Sequence, residues 1–251
     1  MRIWAIGDLH LSFGVPDKSM DVFGSQWKNH ALAIANNWKA VVHPDDLVLI
    51  PGDISWAMKL EEARIDLEWI DALPGTKVLI KGNHDYWWGS LKQIAAILPP
   101  SIHIVQNNAF HWKDVAIGGA RLWDTPEYSF GKFIEFKENP RQKEISPTEK
   151  LIQEELSQKI FDRDLERLKL SLKAMHKDAK IRIAMTHYPP ISADLQPSRA
   201  SQILEENHIQ VAVFGHLHSL RANEPLFGTR NGVRYILTSS DYLHFHPIAV
   251  L

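Results

Sequence analysis

Residues 78–89 read VLIKGNHDYWWG. An apolar run of strand type stops at Gly82, and an amide, an imidazole and a carboxylate follow at once, at Asn83, His84 and Asp85. A turn needs only one such residue. Three in succession, each with different chemistry, point to a site, provided the rest of the chain supplies partners. It does so at four more strand ends. The strand expected at 2–6 runs into Asp8-Leu9-His10, and the one at 46–51 into Gly52-Asp53. A strand ending at 185 meets Thr186-His187, and one ending at 214 meets Gly215-His216-Leu217-His218. Ligand sites in open α/β sheets gather at the carboxyl ends of the strands. Strands running the same way would therefore bring the five clusters to one rim.

Helical spacing fills the intervals. Residues 25–42 place Trp27, Leu32, Ile34, Trp38 and Val41 on one stripe. Residues 59–73 form a second helix that stops at Pro74-Gly75, and 90–98 a shorter third. Further strands are expected at 102–105, 115–118, 233–238 and 247–251, and a helix at 198–207. Residues 124–147 hold prolines, aromatics and charges without a period and read as an irregular insertion. Residues 148–176 read as one long amphipathic helix with Leu151, Leu156, Ile160, Phe161, Leu165, Leu168, Leu172 and Met175 on its apolar side. The expected class is α/β: a single domain over 1–251 with an insertion or cap around 124–176.

The composition narrows the function. The chain has 251 residues, 45% hydrophobic and 23% charged, with a formal net charge of -2, an ordinary balance for a soluble globular protein. Such a balance carries no overall basic footprint for nucleic acid. There is no cysteine, which excludes disulfides, thiolate metal sites and a thiol nucleophile. No apolar run approaches the roughly 20 residues of a membrane helix, and residues 1–11 do not read as a signal peptide. A cytoplasmic location is the expectation.

The thirteen histidines are numerous, and five fall in the strand-end clusters. Carboxylate, imidazole and amide oxygen together suit a divalent ion such as Mn, Fe, Zn or Co. Asp8, His10, Asp53, Asn83, His187, His216 and His218 are too many ligands for one ion, and two ions sharing one carboxylate would use them all.

The ordered set DLH (8–10), GD (52–53), GNHD (82–85), a lone His (187) and GHLH (215–218) resembles the signature of the calcineurin-like metallophosphoesterase superfamily. The resemblance implies a four-layer α/β/β/α sandwich carrying two divalent ions, Mn²⁺ first among Fe, Zn, Co and Mg. It implies that Asp8, His10, Asp53 and His218 hold one ion. Asp53 would bridge to a second, held also by Asn83, His187 and His216. A metal-bridging hydroxide would then attack a phosphomonoester or phosphodiester. His84 would assist the leaving group, since imidazole titrates near neutrality. Asp85 either favours the protonated form of His84 or fixes the loop. The expected substrate is a small-molecule or nucleotide phosphate ester.

Departures exclude some branches. The Ser/Thr protein phosphatases continue as GDxVDRG where this chain has GDISWAM, and the lipid A pyrophosphatases carry GNRD where it has GNHD. Nucleases of the Mre11/SbcD kind share all five blocks and remain an alternative, as does a non-catalytic protein- or nucleotide-binding member of the fold. Trp56, Trp87, Trp88 and Trp123 either wall a pocket or pack at the rim, with packing favoured. Arg121 reads as a surface residue before it reads as a phosphate ligand, and His244 and His246 alternate as on a strand.

Overall fold

The computed structural model describes residues 1–135, 146–221 and 226–251. The middle of the expected insertion falls outside these residues. Two sheets face each other. The first contains β1 (Ile3–Ala5), β2 (Leu47–Ile50), β3 (Thr76–Leu79) and β4 (Ile102–Ile104), all parallel, with the short β11 (Ile248–Ala249) antiparallel beside β1. The second contains β5 (Phe110–Trp112), β6 (Val115–Ala120), β7 (Ile181–Thr186), β8 (Val211–Phe214), β9 (Gly228–Arg230) and β10 (Val233–Leu237). Its order is β5-β6-β7-β8-β10-β9, parallel except at the two edge strands.

Alternation along the strands builds the layers, because successive side chains point to opposite faces. Leu47 and Leu49 of β2 meet Ile117, Ile183, Met185, Val211 and Val213 in the core between the sheets. Val48 and Ile50 point the other way, onto α1 (His30–Val41), α2 (Leu60–Asp71) and α3 (Leu91–Ala95), through Trp38, Leu67, Ile70 and Ile94. On the far side, Ala116, Ala120, Ala184 and Ala212 of the second sheet receive α4 (Pro147–Lys173) and α5 (Arg199–Glu206), through Leu168, Leu172 and Leu204. The result is helix, sheet, sheet, helix. Small residues on β6 bring α4 close. The Ser171 hydroxyl accepts from Gly119 N at 2.7 Å and donates to Asn108 O at 2.6 Å.

Several local expectations are corrected. The first helix begins at His30, because Asn29 turns left-handed (φ 57°) after a 3₁₀ turn over Ser25–Trp27. Leu32 is exposed, since the stripe facing the core runs through His30, Ile34, Ala35 and Trp38. The helix expected over 148–176 packs on the second sheet. Its C-terminal half is one of the four layers, burying Phe161, Leu165, Leu168 and Leu172, while Leu151 and Leu156 stay exposed. Residues 228–237 form a hairpin whose loop, Asn231-Gly232, takes positive φ at both positions, as a two-residue hairpin turn requires. That Asn-Gly signal and the short strand β5 escaped the sequence reading. His244 and His246 lie at a turn rather than on a strand, with His244 and Phe245 at positive φ. No helix among the described residues is long and apolar enough to cross a membrane.

The two halves of α4 should therefore differ in their contribution to stability. Leu168→Ala is expected to cost about 2–5 kcal/mol, and Leu156→Ala less than about 0.5 kcal/mol. Denaturant unfolding of both variants checks this, and equal losses would show that the N-terminal half is packed as well.

Candidate metal centre

The parallel strands deliver the clusters to one edge, where the two sheets meet. Asp8 and His10 follow β1, Asp53 follows β2, Asn83 follows β3, His187 follows β7, and His216 and His218 follow β8. All seven candidate ligands are brought together. Two groups have donor atoms within 4.8 Å of one another: Asp8, His10 and His218, and Asp8, Asp53 and His187. Asp53 faces both sides, with Oδ2 3.7 Å from His10 Nε2 and Oδ1 3.5 Å from His187 Nε2. Asn83 Oδ1 lies 2.6 Å from His187 Nε2 and 3.0 Å from His216 Nδ1.

Close backbone approach makes this possible. A Cβ on Gly82 would fall on the Asp53 carboxylate, and one on Gly215 would fall on that of Asp8. Gly82 is thus required for contact rather than for a turn, since its φ is not positive. Asp8 (φ 54°), His10 (φ 46°), Asp53 (φ 51°) and His216 (φ 73°) all sit in the left-handed region, which costs non-glycine residues energy. The surrounding bonds hold them there. His216 N donates to both Asp8 oxygens at 3.1 Å, His84 N donates to Asp53 Oδ1 at 2.8 Å, and Ser240 Oγ donates to Asp8 O at 2.7 Å.

The donor set fits divalent cations. His187 Nδ1 donates to Pro51 O at 3.0 Å, so its Nε2 presents a lone pair toward Asn83 Oδ1 and Asp53 Oδ1. His218 Nδ1 donates to Asp241 Oδ1 at 2.8 Å, which aims its Nε2 at His10 Nε2, 3.3 Å away. The acceptors around His187 Nε2, namely Asn83 Oδ1 and Asp53 Oδ1, repel its lone pair until positive charge lies between them. Asp241 is the supporting carboxylate of a His ligand, a role that fixes tautomer and orientation. The sequence reading passed over it, because it stands in no motif and meets His218 only through β10.

Ionisation follows from burial. Burial, the largest influence, pushes the Asp8 carboxyl up to about 7, with His218 opposing and Asp53 adding. Burial lowers His187 to about 3 and holds His10 and His216 well below the usual imidazole range, with neighbouring histidines adding to it. Burial opposes protonation of His218 too, but the Asp241 hydrogen bond and the charges of Asp8 and Asp53 outweigh it and raise the group to about 9.

His84 sits apart from these ligands. Its ring lies 4.5 Å from Trp56, and its Nδ1 is buried without a hydrogen-bond partner among the described residues. The hydrogen bonds of Asp85 fit its loop-fixing role. Its carboxylate accepts from Ile54 N at 2.9 Å, Ser55 N at 3.1 Å, Gly82 N at 2.7 Å and Trp87 Nε1 at 3.1 Å, and it makes no hydrogen bond to His84. It ties the GDIS loop to the GNHD loop.

The tryptophans divide. Trp87 and Trp88 are buried in the core. Trp56 stacks on His10 at 5.2 Å and, with Met20, Phe23, Trp27, His10, His84 and His218, lines a cavity of about 240 Å³. Trp123 lines a second cavity of about 280 Å³ beside His216 and Tyr188. Trp56 and Trp123 thus both pack at the rim, on His10 and on Tyr188, and line these cavities. Trp27 and Tyr188, whose ring lies 3.9 Å from that of His216, were missed as site residues.

Residues 1–220 match the family described as Calcineurin-like phosphoesterase, and the chain belongs to that family. That family is metal-dependent, and the Asp and His cluster is where a metal ion could be held. Over 84 residues it is 36% identical to the Gene 66 protein of Mycobacterium phage L5, a stretch covering 33% of this chain and 39% of that protein. Over 85 residues it is 37% identical to the Gene 66 protein of Mycobacterium phage D29, covering 34% and 40%. The chain thus matches about two fifths of the length of these curated relatives. Among solved structures it is similar to Phosphopantetheinyl Hydrolase (PptH) from Mycobacterium tuberculosis, with a TM-score of 0.51 and 15% identity over 100% of this chain and 95% of that one. This likeness is one of fold.

Two measurements probe the centre. Burial raises the Asp8 carboxyl and the Asp241 hydrogen bond raises His218, so protons compete with a metal ion there and metal affinity should rise from pH 6 to pH 8. Calorimetric titration in buffers of different ionisation enthalpy reads the protons released, and pH-independent affinity would remove these residues from the ligand set. Asp85→Ala strands four buried N–H groups and is expected to cost more than about 3 kcal/mol in denaturant unfolding, whereas His84→Ala should cost about 1 kcal/mol or less.

Proposed function

We propose that the protein hydrolyses a phosphate ester, monoester or diester, whose leaving group enters the aromatic cavity beside His84. The observation that carries this reading is the placement of His84. It lines that cavity beside Trp56, outside the candidate ligand set, and its Nδ1 has no hydrogen-bond partner among the described residues.

Asp8, His10, Asp53 and His218 would hold one ion, and Asp53, Asn83, His187 and His216 the other, with Asp53 shared. Such a pair of ions neutralises phosphoryl oxygens and lowers the pKa of a bound water toward neutrality. Manganese is the first expectation for this thiolate-free set. The chain's own residues supply the remaining steps. Asp85 and Gly82 keep the GNHD loop against Asp53, so that His84 N donates to Asp53 Oδ1 and the imidazole lies between Trp56 and His10, at 4.5 and 5.7 Å. As a P–O bond forms to the water oxygen, the P–O bond to the leaving group breaks. The departing oxygen takes a proton from His84, which is recharged from solvent. Trp56, Trp27, Phe23 and Met20 offer an apolar wall that suits an aromatic or nucleoside leaving group.

The test is hydrolysis of p-nitrophenyl phosphate and bis(p-nitrophenyl) phosphate by metal-stripped protein with Mn²⁺ restored. Asp53→Asn should abolish turnover, and His84→Ala should lower kcat by about 10²–10⁴-fold. The loss should be smaller for the p-nitrophenolate leaving group than for an alkyl phosphate, because a good leaving group needs the proton less. Full activity in Asp53→Asn would overturn the proposal.

A further inference from the structure

A third cavity opens on the same rim, of about 290 Å³, and its character is different. Lys81, Arg121, Arg163 and Arg167 line it, against a single acid, Asp164. The residues come from three distant segments: Lys81 from the exit of β3, Arg121 from the exit of β6, and the rest from α4. Asp164 is fully buried and gathers the guanidinium groups, with Arg167 at 3.0 Å, Arg163 at 3.3 Å and Arg121 at 3.4 Å. One carboxylate cannot balance four cations, so three formal positive charges remain around one cavity.

Lys81 is the telling residue. It is half-buried, and its ammonium makes no ion pair and donates no hydrogen bond among the described residues. A cation held partly out of water beside three arginines is unfavourable unless something negative joins it. The cavity is wired to the metal centre. Arg121 O accepts from His187 N at 3.1 Å and from Tyr188 N at 2.9 Å, and Lys81 stands two residues before Asn83. The Arg121 guanidinium lies 4.4 Å from the Trp123 ring, which lines the cavity beside His216.

We infer that this cavity is a second phosphate subsite, and that it receives a further phosphoryl group carried by the substrate. The inference rests on the phosphoesterase reading for the substrate, but not for the anion. Guanidinium forks match the oxygens of a phosphate, and a lysine adds a point charge. The substrate would then bear at least two phosphate groups, one cleaved over the metal centre and one gripped by Lys81, Arg121, Arg163 and Arg167. Its apolar arm would lie on the opposite side, against Trp56.

Two arms test this on the full-length, metal-loaded protein. The first is calorimetric titration with inorganic phosphate. Arg163→Gln/Arg167→Gln and, separately, Lys81→Gln should each weaken one equivalent of bound phosphate by about tenfold or more. Lys169→Gln, exposed on the same helix, should leave it unchanged. Lys81→Gln removes no ion pair, so it serves if the double arginine variant, which strips partners from buried Asp164, fails to fold. The second arm compares kcat/KM for adenosine 3′,5′-bisphosphate with that for adenosine 5′-monophosphate. That ratio should fall about tenfold in Lys81→Gln.

Phosphate binding that is unaffected by any of these substitutions would overturn the subsite. A variant-sensitive equivalent with an unchanged substrate ratio would keep the anion site and overturn its substrate-borne ligand, leaving free phosphate as the occupant. If neither nucleotide is turned over, the phosphoesterase reading loses support, and competition of the bisphosphate for the variant-sensitive equivalent decides the ligand instead.

Discussion

Two carboxylates, those of Asp8 and Asp53, are buried where the sheets meet, in the company of histidines that burial keeps mostly neutral. Much of the surrounding structure answers to that constraint. A buried carboxylate is costly unless hydrogen bonds and positive charge compensate for it. The backbone amides of His216 and His84 provide part of the compensation. They reach the carboxylates only because Gly215 and Gly82 present no side chain there. The left-handed conformations of Asp8, His10, Asp53 and His216 belong to the same demand. The chain accepts strain at strand exits to turn acceptors inward, and divalent cations are the partners that make such a cluster favourable.

Around this centre the rim is chemically asymmetric. Trp27, Trp56, Phe23 and Met20 make one side apolar, and His84 stands on that side. Lys81 and the arginines make another side cationic. Trp123 and Tyr188 line a further cavity beside His216. On the proposed reading, this asymmetry would orient an ester, with the leaving group on the side of His84 and residual charge on the side of the guanidinium groups. Asp85 and Asp241 support this arrangement without touching it, one by tying two loops together and the other by setting the tautomer of His218.

The strands and the candidate ligands at their ends were legible for a local reason, and the four layers through the family resemblance those ends carry. A strand ending in GNHD or GHLH carries its polar residues within a few positions of its apolar run, so pattern and chemistry can be read together. The same logic located the buried half of α4. It failed where the signal depended on what lies opposite. Leu32, Leu151 and Leu156 have the right spacing for a core stripe, yet nothing among the described residues packs enough against them to bury them. His244 and His246 alternate like strand residues, yet they lie at a turn that β10 and β11 flank.

The sequence by itself determined the order of strand ends, the residue types gathered at each, and the absence of any thiol, and these define a hard-to-borderline metal chemistry. Only the tertiary structure decided how far the clusters converge, that Asp53 faces both sides, that Asp241 backs His218, and that Trp56 packs on His10 and lines a cavity with it. It alone assembled Lys81, Arg121, Arg163 and Arg167 around Asp164. The physical reason is range. Local patterns encode which atoms a segment offers. Which atoms meet depends on sheet register and on helix packing between residues far apart in the chain, and no short stretch of sequence contains that information.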